Sequence, residues 1–301
     1  MNKKKIGVII VTYNRIEKLK NTLSFYDKLT IYPNFIIVYN NGSTDDTKTF
    51  LKTWQMEKRE YKKYVFSNNV NAGGSGGFYN AMAIAFKFDY DWLWISDDDA
   101  YPQKNVFEIL NKKIQFIDEN VGVICSSVFE HGNYSGVHRA MKSKNPFKVS
   151  CPSTIKDFQK EEFEINFFSY VGTAIRKDAL LLAGLPKKNY FIYCDDGEHS
   201  MRINKYYKII VVPSIIMIHD CDLSNDTLSW KSYYGFRNQL DQVYNNFSFF
   251  RYICYVIKYK LSFFKYFFTN RKKYYVKKDA YNDFKRKKFG ISNKYKPGIK
   301  L

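Results

Sequence analysis

The 301-residue chain contains no uncharged apolar run of the roughly 18 residues that a membrane-crossing helix requires. Its nearest approach, Phe249 to Phe268, is interrupted by Arg251, Lys258, Lys260 and Lys265, so no transmembrane segment is expected there. Cysteine is also sparse. Cys125, Cys151, Cys194, Cys221 and Cys254 are odd in number and show no Cys-x-x-Cys spacing. With no secretory leader read at the start, they point to a reducing cytosol and to thiols that serve as small buried hydrophobes rather than catalysts. No internal repeat or low-complexity linker divides the chain, and its length suffices for one large core with a small appendage. Acidic residues are nearly missing from the C-terminal stretch. Residues 251–301 hold only Asp279 and Asp283 against 16 Lys and Arg, a net +14 of the chain's +19. The first 250 residues carry only +5, so the charge describes a partner of the tail rather than the chemistry of the body.

What is present is concentrated between Asn71 and Asp99. Asn71-Ala72-Gly73-Gly74-Ser75-Gly76-Gly77-Phe78 places four glycines in five residues, which lets backbone approach a ligand closely and adopt positive φ. Phe78 to Phe88 follows with good helix formers, so the glycines lead into a helix N-terminus, whose free N–H groups and positive dipole end suit an anion such as phosphate. Trp92-Leu93-Trp94-Ile95 then reads as a buried strand, and Asp97, Asp98 and Asp99 follow directly. In an α/β sheet the C-terminal ends of strands are where ligands bind. Three adjacent carboxylates are costly unless they share a cation, and hard divalent ions take oxygen ligands. The combination predicts a nucleotide diphosphate held by a metal.

The remainder supports an α/β fold with a mainly parallel, doubly wound sheet. Ile6 to Val11 is a continuous apolar run of strand length, Phe35 to Val38 a second, and Tyr64-Val65-Phe66 a third, each followed by polar or helical sequence. Thr44 or Asp45 is expected to cap the helix after the second strand. Val106 to Phe116 predicts a helix, Val121 to Ser127 a strand, and 130–165 an irregular excursion over the site. Phe167 to Ile175 is strand-like, Lys177 to Ala183 a short helix ending at Gly184, and Ile209–Val212 and Ile215–Ile218 the last core strands. A second carboxylate cluster, Asp195-Asp196, lies between them, and Trp230 to Asn245 reads as a helix.

Val8 to Arg15, Asn41-Gly42-Ser43-Thr44-Asp45, the Asp97–Asp99 triplet and Asp195-Asp196 stand in an order that resembles the inverting family 2 glycosyltransferases. The resemblance spans about residues 6–245 and implies their GT-A fold, a Rossmann-like, mainly parallel sheet flanked by helices. A narrower resemblance, to the galactofuranosyltransferase branch, rests on Asn71 to Phe78, the three-aspartate motif, and His219 followed by Trp230-Lys231-Ser232-Tyr233-Tyr234-Gly235-Phe236-Arg237-Asn238. Related rhamnosyltransferases share parts of it. By this resemblance Asp97, Asp99 and His219 bind a divalent ion, Mn²⁺ or Mg²⁺, that neutralises the departing diphosphate. Asp196 is the base that takes the acceptor proton, with Asp195 orienting an acceptor hydroxyl, or the two exchange roles. Thr12, Asn14, Arg15, Asn40, Asn71, Gly73, Gly74 and Asp98 would hold the donor, a UDP-sugar. Phe167 and Phe168 would stack on an acceptor sugar. At Asn40 the chain departs from the many relatives that carry an acid there against the uracil; Asn can still donate and accept.

The expected organisation is a glycosyltransferase domain at 1–245 and a basic, aromatic, helical tail at 246–301. Aromatics interleaved with Lys and Arg bind the interface of an anionic bilayer without crossing it. That suits an acceptor carried on a polyprenyl diphosphate, and a peripheral location on the inner face of the plasma membrane. The leading expectation is transfer of galactofuranose from UDP-galactofuranose in capsule, O-antigen or other cell-surface glycan assembly. A dTDP-rhamnose-dependent rhamnosyltransferase is the alternative. A nucleic-acid-binding protein is the non-enzymatic one, opposed by the body's carboxylate clusters and by the lack of a nucleic-acid motif, so no nucleic-acid partner is expected.

Overall fold

The computed structural model describes residues 4–221 and 228–301. The first apolar run forms β1 (Ile6–Thr12), buried along its whole length, and α1 (Ile16–Tyr26) follows, with Leu19, Leu23 and Tyr26 turned inward. The alternation continues through β2 (Phe35–Asn40), α2 (Thr47–Met56), β3 (Lys62–Ser67), α3 (Gly73–Ala85) and β4 (Trp92–Asp97). β1 pairs in parallel with both β2 and β4, and β2 with β3. A tight turn at Asp98 and Asp99 leads to β5 (Ala100–Pro102), α4 (Val106–Gln115) and β6 (Val121–Glu130). Short strands follow: β7 (Asn133–Tyr134), β8 (Arg139–Lys142), β9 (Ser150–Pro152), β10 (Phe163–Ile165), β11 (Phe167–Phe168) and β12 (Thr173–Arg176). The chain then forms α5 (Lys177–Ala183), α6 (Asp195–Ile203), β13 (Lys208–His219), α7 (Trp230–Asn246), α8 (Phe249–Thr269) and α9 (Arg271–Lys285).

The main sheet runs β10-β13-β6-β12-β4-β1-β2-β3, with β12 antiparallel between β4 and β6, and β6 parallel to β13. A small antiparallel sheet, β11-β8-β9, stands beside it. Two apolar cores pack on the two faces. One joins the strands to Leu19, Leu51, Trp54 and Phe107 of α1, α2 and α4; the other joins them to Phe78, Met82 and Leu180 of α3 and α5 and Ile203 of α6. This is the mainly parallel, two-faced sheet that the strand–helix alternation requires.

Three local expectations are corrected. The 130–165 stretch carries β7 to β10 rather than being wholly irregular, because its short strands pair with distant partners such as β13 and β11. Phe167 to Ile175 is not one strand: Gly172, at φ 68°, turns the chain between β11 and β12. The two predicted strands at 209–218 are one, β13, with a bulge after Val212. The expected cap of α2 forms at Asp45, whose carboxylate accepts the Thr47 N–H at 3.2 Å, while Asp46 at the N-cap position makes no side-chain capping bond.

The boundary read after residue 245 falls at the end of α7. Beyond it α8 and α9 fold back onto that helix. Tyr233 and Tyr234 cluster with Val276, Ala280 and Tyr295, and Leu240 and Val243 with Tyr255, Tyr259 and Phe284. Among the described residues no helix is long and apolar enough to cross a membrane.

Candidate active site

The C-terminal ends of β1 and β4 lie side by side and open on a cavity of about 480 Å³. Thr12, Arg15, Asn71, Gly73, Gly74, Asp97, Asp98, Asp195, Asp196 and His219 all line it, so ten residues singled out from four separate stretches of sequence converge. Asp99 lies just beneath, 3 % exposed, with its Oδ1 3.4 Å from His219 Nε2. Asp97, Asp99 and His219 each offer one ligand atom, and all three atoms lie within 4.8 Å of one another. Two hard oxygens and one imidazole suit Mn²⁺ or Mg²⁺, so the residues present fit a divalent ion.

The electrostatics of the triplet follow from burial and close charges. Burial, then the neighbouring Asp99, pushes Asp97 up to about 7. Burial raises Asp98 to about 6 against the opposing pull of Arg15. Asp99 goes the other way: burial opposes it, but the His219 imidazole and Arg15 hold it below its usual value. Arg15 Nη1 donates to Asp98 Oδ1 at 3.3 Å and Asp99 Oδ2 at 2.6 Å, and Thr12 Oγ1 donates to Asp98 Oδ2 at 2.7 Å. Thr12 therefore acts on Asp98, which in turn orients the Arg15 guanidinium at the cavity wall.

His219 is fixed from behind. Glu130, at the end of β6, accepts from His219 Nδ1–H at 2.7 Å and from His138 Nε2–H at 2.8 Å, which leaves His219 Nε2 facing Asp99. Hydrogen bonding, first from His138, holds Glu130 well below the usual carboxylate range, so it is the acceptor in both contacts. His138 Nδ1 in turn lies 2.6 Å from Ser169 Oγ. A carboxylate behind a ligating histidine sets the tautomer and raises ligand basicity. Sequence reading missed both Glu130 and His138: Glu130's partner His219 lies 89 positions away, and His138 joins through Glu130 and Ser169.

The glycine loop is held by Asn41, a third residue that sequence reading left out of the site. Its Nδ2 donates to the Gly73 carbonyl at 2.9 Å, its Oδ1 accepts from Ala72 N–H at 3.2 Å, and Asn71 Oδ1 accepts from Gly73 N–H at 2.7 Å. The glycines are not a lead into the helix; they are its first turn. They also serve different ends. A Cβ on Gly73, at φ 75°, would meet the Phe191 carbonyl oxygen at 2.0 Å, and one on Gly77 would meet Val11 at 2.7 Å. Both are required by close protein packing. Only at Gly74, among the four, would a Cβ meet nothing within 4 Å.

Asn14 and Asn40 do not line the cavity. Asn14, at φ 52°, accepts from Thr44 N–H at 2.7 Å and donates its own N–H to Ser43 at 3.0 Å. Asn40 is 2 % exposed and accepts from Ser43 N–H at 2.9 Å. Both hold the β2–α2 loop in shape; Asn is favoured for such local backbone bonds and tolerates positive φ.

Asp195 and Asp196 open α6, directly after Phe191, Tyr193 and Cys194 at φ 71°, 68° and 66°. Three non-glycine residues at positive φ need outside support. It comes from α7: Asn238 Nδ2 donates to the carbonyls of Tyr190, Ile192 and Tyr193, each at 3.0 Å, and Arg237 donates to Tyr190 O at 3.1 Å and Gly290 O at 2.9 Å. The Arg237-Asn238 end of the tryptophan-led motif is thus a clamp on the loop before the aspartates. Burial raises both carboxyls above their usual range, Asp195 further because Asp196 adds its charge. Asp196 Oδ1 accepts from Gly197 N–H at 2.6 Å.

A second cavity, also about 480 Å³, is lined by Phe167, Phe168, Ala140, Val149, Phe236 and Gln239. Asp196, Ser169, Tyr193 and Cys194 border both cavities. One carboxylate therefore stands where two ligands could meet, with an aromatic pair on the far side.

A mainly parallel sheet with a metal-ligand cluster at its strand ends and a buried carboxylate between two cavities has the GT-A architecture. The Glycosyl transferase family 2 model matches residues 7–181, and the chain belongs to that family. It is 26 % identical over 220 residues to an O-antigen chain rhamnosyltransferase of Salmonella typhimurium, covering 71 % of this chain and 66 % of that protein. It is 21 % identical over 215 residues to a glycosyltransferase of Rickettsia prowazekii, with 71 % and 61 % covered. The chain thus spans about three fifths to two thirds of these relatives. Among solved structures it superposes on GalNAc-T7 with UDP, GalNAc and Mn²⁺ at TM-score 0.60, 17 % identity, 81 % of this chain and 48 % of that one. It superposes on a Pyrobaculum calidifontis mannosyltransferase with GDP-Man and Mn²⁺ at TM-score 0.57, 15 % identity, 81 % and 64 %.

Proposed function

We propose that this glycosyltransferase moves galactofuranose from UDP-galactofuranose to a glycan acceptor carried on a polyprenyl diphosphate at the inner face of the plasma membrane, in cell-surface polysaccharide synthesis. The observation that carries the reading is the shared border of the two cavities at Asp196, with the Asp97–Asp99–His219 cluster in the first. Asp97, Asp99 and His219 would hold Mn²⁺ or Mg²⁺, which supplies Lewis-acid neutralisation of the departing diphosphate. The chain's own residues do the rest. Gly74 and the first amides of α3 accommodate the diphosphate, and Arg15 adds a positive charge beside it. The acceptor hydroxyl lies in the second cavity, against Phe167 and Phe168. As its oxygen bonds to the anomeric carbon, the bond from that carbon to the diphosphate oxygen breaks, UDP leaves, and the hydroxyl proton passes to Asp196. Asp195 orients the acceptor. Attack from the face opposite the leaving group inverts the anomeric centre.

The similarity to Salmonella O-antigen rhamnosyltransferases favours a second reading, with dTDP-rhamnose as donor. A panel of UDP- and dTDP-sugars, assayed for binding and hydrolysis with Mn²⁺, Mg²⁺ or EDTA, separates the two. Metal-dependent preference for UDP-galactofuranose supports the first reading, and preference for dTDP-rhamnose replaces it with the second. Indifference to EDTA removes the metal from both.

A further inference from the structure

The outer face of α8 is unlike any other surface of the described chain. Phe250, Ile253, Ile257, Leu261, Phe264 and Phe268 are between 38 % and 73 % exposed. At about 100° per residue these six fall within an arc of roughly 80°, so they form one continuous stripe along the helix. The opposite face, through Tyr255 and Tyr259, is buried. Isolated exposed apolar residues need no explanation, whereas a contiguous stripe of this size marks a surface that is covered in use. Its polar borders are all of one sign. Lys258 and Lys265 stand on one edge, Lys260 on the other, all three exposed, and α8 contains no acidic residue.

We infer that α8 lies in the interface of an anionic bilayer, with this stripe in the acyl boundary and the flanking lysines at the headgroups. A 21-residue amphipathic helix with basic edges and aromatic anchors has the composition for that position. Charge decides between this occupant and a second copy of the chain. Two α8 helices packed stripe to stripe would bring Lys258, Lys260 and Lys265 together with no acid on either helix to offset them. A surface of anionic headgroups neutralises them. The two acids of residues 251–301 are already engaged: Asp279 by Lys294 and Tyr295, and Asp283 by Tyr233. Long lysine stems let the ammonium groups reach the headgroup layer while the stripe sits deeper.

The same helix is tied to the second cavity. Arg251 donates to the Asn145 carbonyl at 3.0 Å and Lys258 to the Phe147 carbonyl at 3.0 Å, and the chain just beyond, Val149 and Ser150, lines that cavity. Seating α8 on a bilayer therefore brings the acceptor side of the enzyme to the membrane. The inference deepens the reading of a lipid-linked acceptor, and its test separates the two.

The full-length protein would be floated with vesicles of phosphatidylcholine alone and of phosphatidylcholine with phosphatidylglycerol. The variant is Ile257→Ser, Leu261→Ser, Phe264→Ser, and the control is Phe116→Ser, an exposed apolar residue on α4's C-cap. Circular dichroism and donor-sugar hydrolysis confirm that each variant is folded and active. The expected result is flotation with the anionic vesicles only, weakened by salt, retained in the control and reduced more than about tenfold in the triple variant. Failure of the wild type to float with anionic vesicles overturns the inference, as does equal binding by the triple variant. A wild-type dimer that the triple variant converts to monomer overturns it in favour of a second copy. Flotation without any nucleotide-sugar turnover leaves it standing and removes the transfer reading instead.

Discussion

In the proposed reaction Asp196 and Glu130 would serve the two halves, Asp196 the acceptor and Glu130 the metal ligand His219. Burial raises the Asp196 carboxyl to about 6 even though the Gly197 amide pulls the other way. A base must be ionised to accept a proton, so transfer should fall as pH drops through that value, about two units above the 3.9 of an ordinary aspartate. A rate profile still flat at pH 5 would place the base elsewhere. Glu130 touches no substrate; it holds the Nδ1–H of His219 and so keeps Nε2 available toward Asp99. Glu130→Ala should weaken divalent-ion affinity roughly 10–100-fold, read by Mn²⁺ paramagnetic resonance titration with UDP present. Unchanged affinity would show the contact to be merely structural. The asymmetry in what sequence reading reached is instructive here. Asp97, Asp99 and Asp196 stand in local clusters, and clustering is a signal. Glu130, His138 and Asn41 act through contacts formed only when the chain folds, which no local pattern records.

At the scale of elements, the site is three chain segments locked to one another. The N-terminus of α3, the loop before α6 and the start of α7 meet at Phe191, whose carbonyl accepts from Ser75 N–H at 3.2 Å and touches the place where Gly73 has no side chain. Gly73 and Gly74 therefore make a discriminating pair. Gly73→Ala should cost roughly 1–3 kcal/mol of stability through positive φ and the clash with Phe191, seen as a lowered melting temperature. Gly74→Ala should leave the melting temperature unchanged and weaken donor binding, because its Cβ enters the cavity. The reverse pattern would contradict the assignment of the two glycines. The elements themselves were legible where apolar runs are long: β1, β2, β4 and α5 follow directly from their residues. They were illegible where strands are two to four residues long, as in β7 to β10, since such strands exist only through their pairing. The tryptophan-led motif is visible in the sequence, but its purpose emerges only with Asn238 on the carbonyls of the positive-φ loop.

In the whole molecule, the basic C-terminal region has two faces. One is exposed on α8. The other packs on α7, where Tyr295 stacks on Tyr233 at 4.4 Å between ring centres and Tyr259 and Phe284 cover Leu240 and Val243. Pro297 reaches the first cavity. Sequence composition revealed the charge of this region but not that its aromatics divide between a core and a surface, because both faces use Phe and Tyr. Deleting 271–301 should therefore lower both the melting temperature and the rate on a soluble short acceptor, by uncovering Tyr233 and Tyr234. Unchanged values for both would contradict this packing role. The central claim is a single displacement in which Asp196, between donor and acceptor, takes the proton. The most direct test is the anomeric configuration of the product by NMR, with turnover and donor affinity measured side by side for the wild type and Asp196→Asn. The account predicts an inverted product, turnover reduced by about 10²–10⁴-fold in the variant, and donor affinity nearly unchanged. A product of retained configuration, or a variant that turns over at close to the wild-type rate, would contradict it.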